Sequence, residues 1–143
     1  MELLIVGAGE MGRWLADTLD DVDVAFADAD PAVAEAAAEA CRKTGRRTRT
    51  VALDAEESFG AVCLAVPLPA AVEAVEEHAH KAQQAVVDVT GAMVPPLSAM
   101  ARVAPARERV SFHPLFAADA APGNVAVSVG AAGPATDGIR RSL

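Results

Sequence analysis

Three glycines stand in Gly7-Ala8-Gly9-Glu10-Met11-Gly12, directly after the apolar run 2–6. Glycines at that spacing let a chain turn sharply out of a strand and enter a helix. The backbone can then approach a bulky anion with no side chain in the way. The helix start that follows offers free N–H groups and a partial positive charge, which suits a diphosphate. Ala8, Glu10 and Met11 belong with the glycines to this candidate cradle. Asp28 ends the next apolar run, roughly 20 residues past the first glycine, where a dinucleotide-binding unit carries its ribose-binding acid. A carboxylate there accepts hydrogen bonds from ribose hydroxyls and repels a 2′-phosphate. No Arg or Lys follows Asp28 closely, so NAD is the expected cofactor and NADP is disfavoured.

Other chemistry-bearing residues stand where later apolar runs end: Ala65-Val66-Pro67, Asp88-Val89-Thr90-Gly91 and His113-Pro114-Leu115-Phe116. Ligands of open α/β sheets lie beyond the carboxyl ends of the strands, so these segments are the candidates. Ala65, Val66 and Pro67 are expected at the cofactor, with Pro67 as an apolar wall on the nicotinamide side. Thr90 offers a hydroxyl, and Gly91 leaves room for a ligand. His113 follows a strand end, and its imidazole can take or share a proton near neutral pH. His78 and His80 lie near the end of a helix rich in Glu73, Glu76 and Glu77. They read as surface histidines favoured by the helix dipole, and no metal site is expected. Trp14 reads as packing.

The elements that must position these residues alternate. Strands are predicted over 2–6, 22–27, 48–53, 61–66, 85–89, 109–112 and 125–130, and helices over 10–19, 31–43, 69–81 and 94–103. Asp30 can cap a helix whose first residue is Pro31, and Pro69 pre-sets the start of another. Residues 133–143 read as one more helix, beginning and stopping after about two turns. Strands alternating with helices imply right-handed crossovers and a mainly parallel sheet. The expected fold is α/β, a doubly wound Rossmann-type sheet in one domain over 1–143.

Composition sets further bounds. The 143 residues suffice for one cored domain, and the 52% apolar content excludes a disordered chain. With 3% aromatics the core must be built from Ala, Val and Leu. The net charge of −8 argues against nucleic acid, and Arg46, Arg47 and Arg49 read as a solvated loop before a strand. Lysine occurs only at Lys43 and Lys81, beside abundant Asp, Glu and Ala, a balance similar to that of proteins from salt-accumulating halophiles. Cys41 and Cys63 form no framework, and Cys63 reads as a small buried hydrophobe. The first apolar run lacks a basic flank and is too short for a signal peptide, and no stretch approaches a membrane span. A cytoplasmic location is expected.

From the glycine loop through Leu64-Ala65-Val66-Pro67 and Asp88-Val89-Thr90 to His113-Pro114-Leu115-Phe116, the chain resembles the N-terminal domain of prephenate dehydrogenases. These oxidise and decarboxylate prephenate in tyrosine biosynthesis, and some relatives act on arogenate. The resemblance covers essentially the whole chain, and the His-Pro-Leu-Phe element is its most specific part. It implies that His113 hydrogen-bonds or deprotonates the ring hydroxyl while hydride passes to the nicotinamide.

The sequence departs from the family at three positions. Gly91 and Met93 stand where a serine and a lysine are usual, and Ala117 replaces a glycine. Thr90 is then the hydroxyl available beside the histidine. The family also carries a helical C-terminal domain that supplies dimerisation and a cationic grip on the substrate carboxylates. The expectation is that these residues bind NAD and turn prephenate over poorly alone, with a homodimer if that domain is present. Two alternatives stay open: an NAD-sensing module of the potassium-transport kind, and another reductase of the superfamily acting on imines or pyrroline carboxylate.

Overall fold

In the computed structural model, which describes residues 1–143, apolar and amphipathic segments alternate along the chain. The elements are β1 (Glu2–Val6), α1 (Glu10–Thr18), β2 (Asp23–Ala27), α2 (Pro31–Lys43), β3 (Thr48–Thr50), β4 (Phe59–Leu64), α3 (Ala71–His78), β5 (Ala82–Asp88), α4 (Val94–Val103), β6 (Glu108–Pro114), β7 (Val125–Ala131) and α5 (Pro134–Ser142). One seven-stranded sheet runs β3-β2-β1-β4-β5-β6-β7. All neighbours are parallel except β6 and β7. The order reverses between β1 and β4, which opens a crevice at their carboxyl ends. This is the expected doubly wound, mainly parallel Rossmann-type sheet.

Each face of the sheet carries its own core. Leu3, Ile5, Phe26, Val87 and Phe112 pack beneath α1, α2 and α5. Leu4, Val6, Leu64 and Val86 pack beneath α3 and α4. Alanines on α2 (Ala34, Ala37, Ala38) bring that helix close to the strands, which offsets the scarcity of aromatics. Asp30 caps α2 by accepting the Ala32 N–H at 2.9 Å, and Pro31 occupies its first turn. The closing segment is a docked helix. Ala135 and Ile139 of α5 are buried, and its Thr136 N–H donates to Glu108 Oε2 at 2.7 Å.

Several boundaries differ from the sequence expectations, each for a physical reason. β3 stops at Thr50 because this edge strand has little to bury. β4 starts at Phe59, two residues early and across a register shift at Gly60, a residue that reads as a strand breaker. β5 starts at Ala82, because the exposed pair Gln83 and Gln84 masks its first half. The predicted 69–81 helix is α3 flanked by 3-10 turns at Leu68–Ala70 and Ala79–Lys81. β6 continues through Pro114, so His113 lies within the strand, opposite Ala126 of β7, and not beyond its end.

The arginine cluster lies before and within the edge strand β3, with Arg47 and Arg49 exposed as expected, and each arginine has a partner. Arg46 donates to the carbonyls of Leu19 and Asp17 at the end of α1, Arg47 pairs with Asp23, and Arg49 with Glu2 and Glu57. No helix is long and apolar enough to cross a membrane.

Candidate active site

At the crevice, the glycine loop is fixed by backbone packing. The Gly7 N–H donates to the Ala27 carbonyl at 2.8 Å, tying the loop to the end of β2. Gly7 has φ +98°, and a Cβ there would sit 2.5 Å from the Ala65 carbonyl oxygen. Both facts demand glycine. At Gly12 a Cβ would overlap the Gly7 carbonyl oxygen, so α1 can lie this close to β1 only without a side chain. Gly9 differs: a Cβ there would meet nothing within 4 Å. The space beside it is open, at the mouth of α1, whose first turn begins with Glu10 and Met11. Gly9 contributes no side-chain cap, so the first N–H groups of α1 stay free to meet an anion.

Both carboxylate oxygens of Asp28 are engaged, one with this loop and one with the turn into α2. Oδ2 accepts the Ala8 N–H at 2.8 Å, and Oδ1 accepts the Asp30 N–H at 2.9 Å. Each oxygen keeps a second lone pair for a further donor. Asp28 lines a cleft of about 350 Å³ with Val66, Pro67, Leu53, Ala74 and His78. Pro67 thus lines the same cleft as Asp28. Ala65 serves the site through its carbonyl, which packs on Gly7.

His78 corrects a sequence expectation. It is buried at 6% exposure, not on the surface. Burial, with Lys81 and His80 nearby, lowers its pKa to about 4, and its Nδ1 has no hydrogen-bond partner. The ring is neutral at pH 7. The periodicity of the Glu-rich segment puts position 78 near a helix end but does not reveal that the ring is buried.

The second group of residues lies at the ends of β5 and β6. Gly91 has φ +86°, and a Cβ there would stand 3.2 Å from both Cδ2 and Nε2 of His113. The imidazole therefore rests on a glycine, and a serine here would be strained and pressed against it. The Thr90 hydroxyl accepts the Ala92 N–H at 3.5 Å and lies against Asp88. Asp88 is fully buried, accepting the Thr90 N–H at 3.0 Å and the Ser111 hydroxyl at 2.5 Å.

Asp88 stands in a segment the sequence marks as a candidate, but its pairing with Ser111, and Ser111 itself, escape a reading by residue type. The signals available were a carboxylate ending an apolar run and a serine two residues before His113, hence on its face of the strand. Of the rest of the His-Pro-Leu-Phe element, Leu115 is exposed while its two neighbours pack. Pro114 is buried, and Phe116 meets Trp14 of α1 edge-on, with ring centroids 5.3 Å apart at 78°.

No family model matches the chain, and no curated protein matches its sequence. Solved structures match its fold. A 3-hydroxyacyl-CoA dehydrogenase from Archaeoglobus fulgidus superimposes with a TM-score of 0.69 at 20% identity, over 99% of this chain and 54% of its own. Arogenate dehydrogenase from Synechocystis gives 0.67 at 17%, over 100% of this chain and 56% of its own. A reductive aminase from Aspergillus terreus, solved with NADPH, gives 0.68 at 17%, over 99% and 52%. The chain spans about half the length of these structures. At such identities the likeness establishes the Rossmann-type fold.

Proposed function

We propose that this chain is the dinucleotide-binding part of an NAD-dependent dehydrogenase that oxidises prephenate or arogenate. The observation that carries the reading is the open space beside Gly9, at the start of α1, between two glycines that packing forbids to change. A diphosphate needs such a cradle, and the residues fit one. The backbone of Gly7–Gly12 would hold the diphosphate, and Asp28 would receive ribose hydroxyls on its remaining lone pairs. Val66, Pro67 and Leu53 give apolar walls suited to the adenosine part. Asp28 favours NAD over NADP, because a 2′-phosphate would meet a fixed negative charge.

When bound, the nicotinamide supplies hydride acceptance. This chain's own part in the chemistry falls to His113. As the carbinol carbon loses hydride, its O–H must lose a proton, and a neutral imidazole can accept it. Gly91 leaves the ring edge uncovered by a side chain, and Thr90 is the second polar residue of the site. The Asp88-Val89-Thr90 and His113-Pro114-Leu115-Phe116 elements support the substrate class, as does an arogenate dehydrogenase among the structural neighbours. Substrate carboxylates need cations to hold them. In the resembled family these come from a helical domain that also pairs two subunits, in a cytoplasmic enzyme.

The test is NADH formation from prephenate and from arogenate, by this chain alone and fused to such a helical domain. The chain should bind NAD yet turn over slowly, since substrate positioning can be worth about 7–11 kcal/mol. In the fused enzyme, His113→Asn should lower kcat by about 10²–10⁴-fold. Ordinary enzyme rates from the chain alone, or an unchanged kcat in the variant, would count against the reading.

A further inference from the structure

Behind His113 lies a carboxylate with two separate attachments. In the parallel register Asp88 faces Ser111, and the Ser111 hydroxyl donates to its Oδ2 at 2.5 Å. Ser111 is two residues before His113 on the same face of β6. The other oxygen, Oδ1, accepts the Thr90 N–H at 3.0 Å, which closes a tight turn at the end of β5. The next residue of that turn is Gly91, which faces the imidazole so closely that a Cβ there would stand 3.2 Å from the ring. One buried side chain thus ties together the two pieces of backbone that hold the ring.

The charges around His113 are few. β7, which carries Ala126 opposite the ring, has no ionisable side chain, and the 89–93 turn has none. Glu108 and Arg109 stand at the far end of β6, bonded to Thr136 and to the carbonyls of Ala104, Pro105 and Arg107. Arg102 of α4 pairs with Glu76, and Lys81 donates to the Leu53 carbonyl at the far end of β5. Asp88 is buried on the same side of the sheet and close enough to His113 to feel its charge. Burial pushes its carboxyl above the usual range, while the Ser111 and Thr90 hydrogen bonds and the charge of a protonated His113 oppose that rise.

We propose that Asp88 is the positioning residue for His113, clamping the imidazole between β6 and the Thr90–Gly91 turn and stabilising its protonated form by charge. This rests on the reading of His113 as the proton-handling group. It supplies what the missing hydroxyl at position 91 does not: a fixed ring, and a counter-charge for the imidazolium formed when the proton arrives.

NMR titration of the protein without dinucleotide or substrate tests the proposal separately from cofactor binding and turnover. In Asp88→Asn, which keeps shape and loses charge, the His113 midpoint should fall by about one pH unit. In the unaltered protein the Asp88 carboxyl carbon should show an inflection at the His113 midpoint. A folded Asp88→Asn protein with an unmoved His113 midpoint overturns the proposal. Should that variant fail to fold, a wild-type Asp88 resonance blind to the His113 titration overturns it equally.

Discussion

Around Gly7–Gly12 the surface offered to a ligand is mostly backbone, whereas around His113 it is made of side chains. At the glycine end, Gly7 and Gly12 are enforced by contacts that no Cβ could share, and Gly9 is enforced by none. The one side chain involved, Asp28, is itself held by two backbone N–H groups. At the histidine end, the ring's place depends on Asp88, Ser111 and Gly91, drawn from two strands and the turn between β5 and α4. The first end is therefore specified locally, by what is absent from a short stretch of chain. The second is specified by sheet register. A slip of one residue between β5 and β6 would turn Ser111 and His113 to the opposite face.

The largest expected effect separates packing glycines from the ligand glycine. Gly12→Val would force a side chain into the Gly7 carbonyl, so stability should fall by about 3 kcal/mol in denaturant unfolding. Gly9→Val should leave stability within about 1 kcal/mol, because its Cβ enters open space. The same variant should weaken NAD binding on the order of a hundredfold by calorimetry. If both variants unfold alike, or if Gly9→Val binds normally, the division of labour among the three glycines is wrong.

The next effect probes the cleft. His78 has a folded-state pKa of about 4, below the value of about 6.5 expected when unfolded. The unfolded chain therefore takes up a proton first as pH falls. The stability from burying the neutral ring is complete above the unfolded value and is lost as pH drops toward about 4. Between pH 7 and pH 5 the loss should be about 2 kcal/mol. His78→Leu should flatten that part of the pH–stability curve, and a curve unchanged by the substitution would refute the buried neutral ring.

The smallest effect sharpens the cofactor assignment. Asp28→Ala should narrow the preference for NAD over NADP by about tenfold, equal to about 1.4 kcal/mol. Competitive titration with the two dinucleotides reads it directly. Equal affinity in the unaltered protein would remove the electrostatic role given to Asp28.

The sequence by itself determined the alternation of strands and helices, the three-glycine loop and the Asp28 spacing. Each of these is a pattern within a few residues, or between two adjacent elements, where backbone geometry follows local residue type. Segments that contradict their local pattern were lost at their edges: the bulge at Gly60 and the polar start of β5 at Gln83 and Gln84. Only the tertiary structure decided that β7 returns antiparallel and carries β6 on through His113. It also decided that His78 is covered, that Pro67 shares a cleft with Asp28, and that Asp88 meets Ser111. The physical reason is common to all of these. Asp88 and Ser111 are separated by 23 residues of chain, and no short-range preference records which face of a neighbouring strand will stand opposite. That is settled when the sheet closes its register and buries both cores at once.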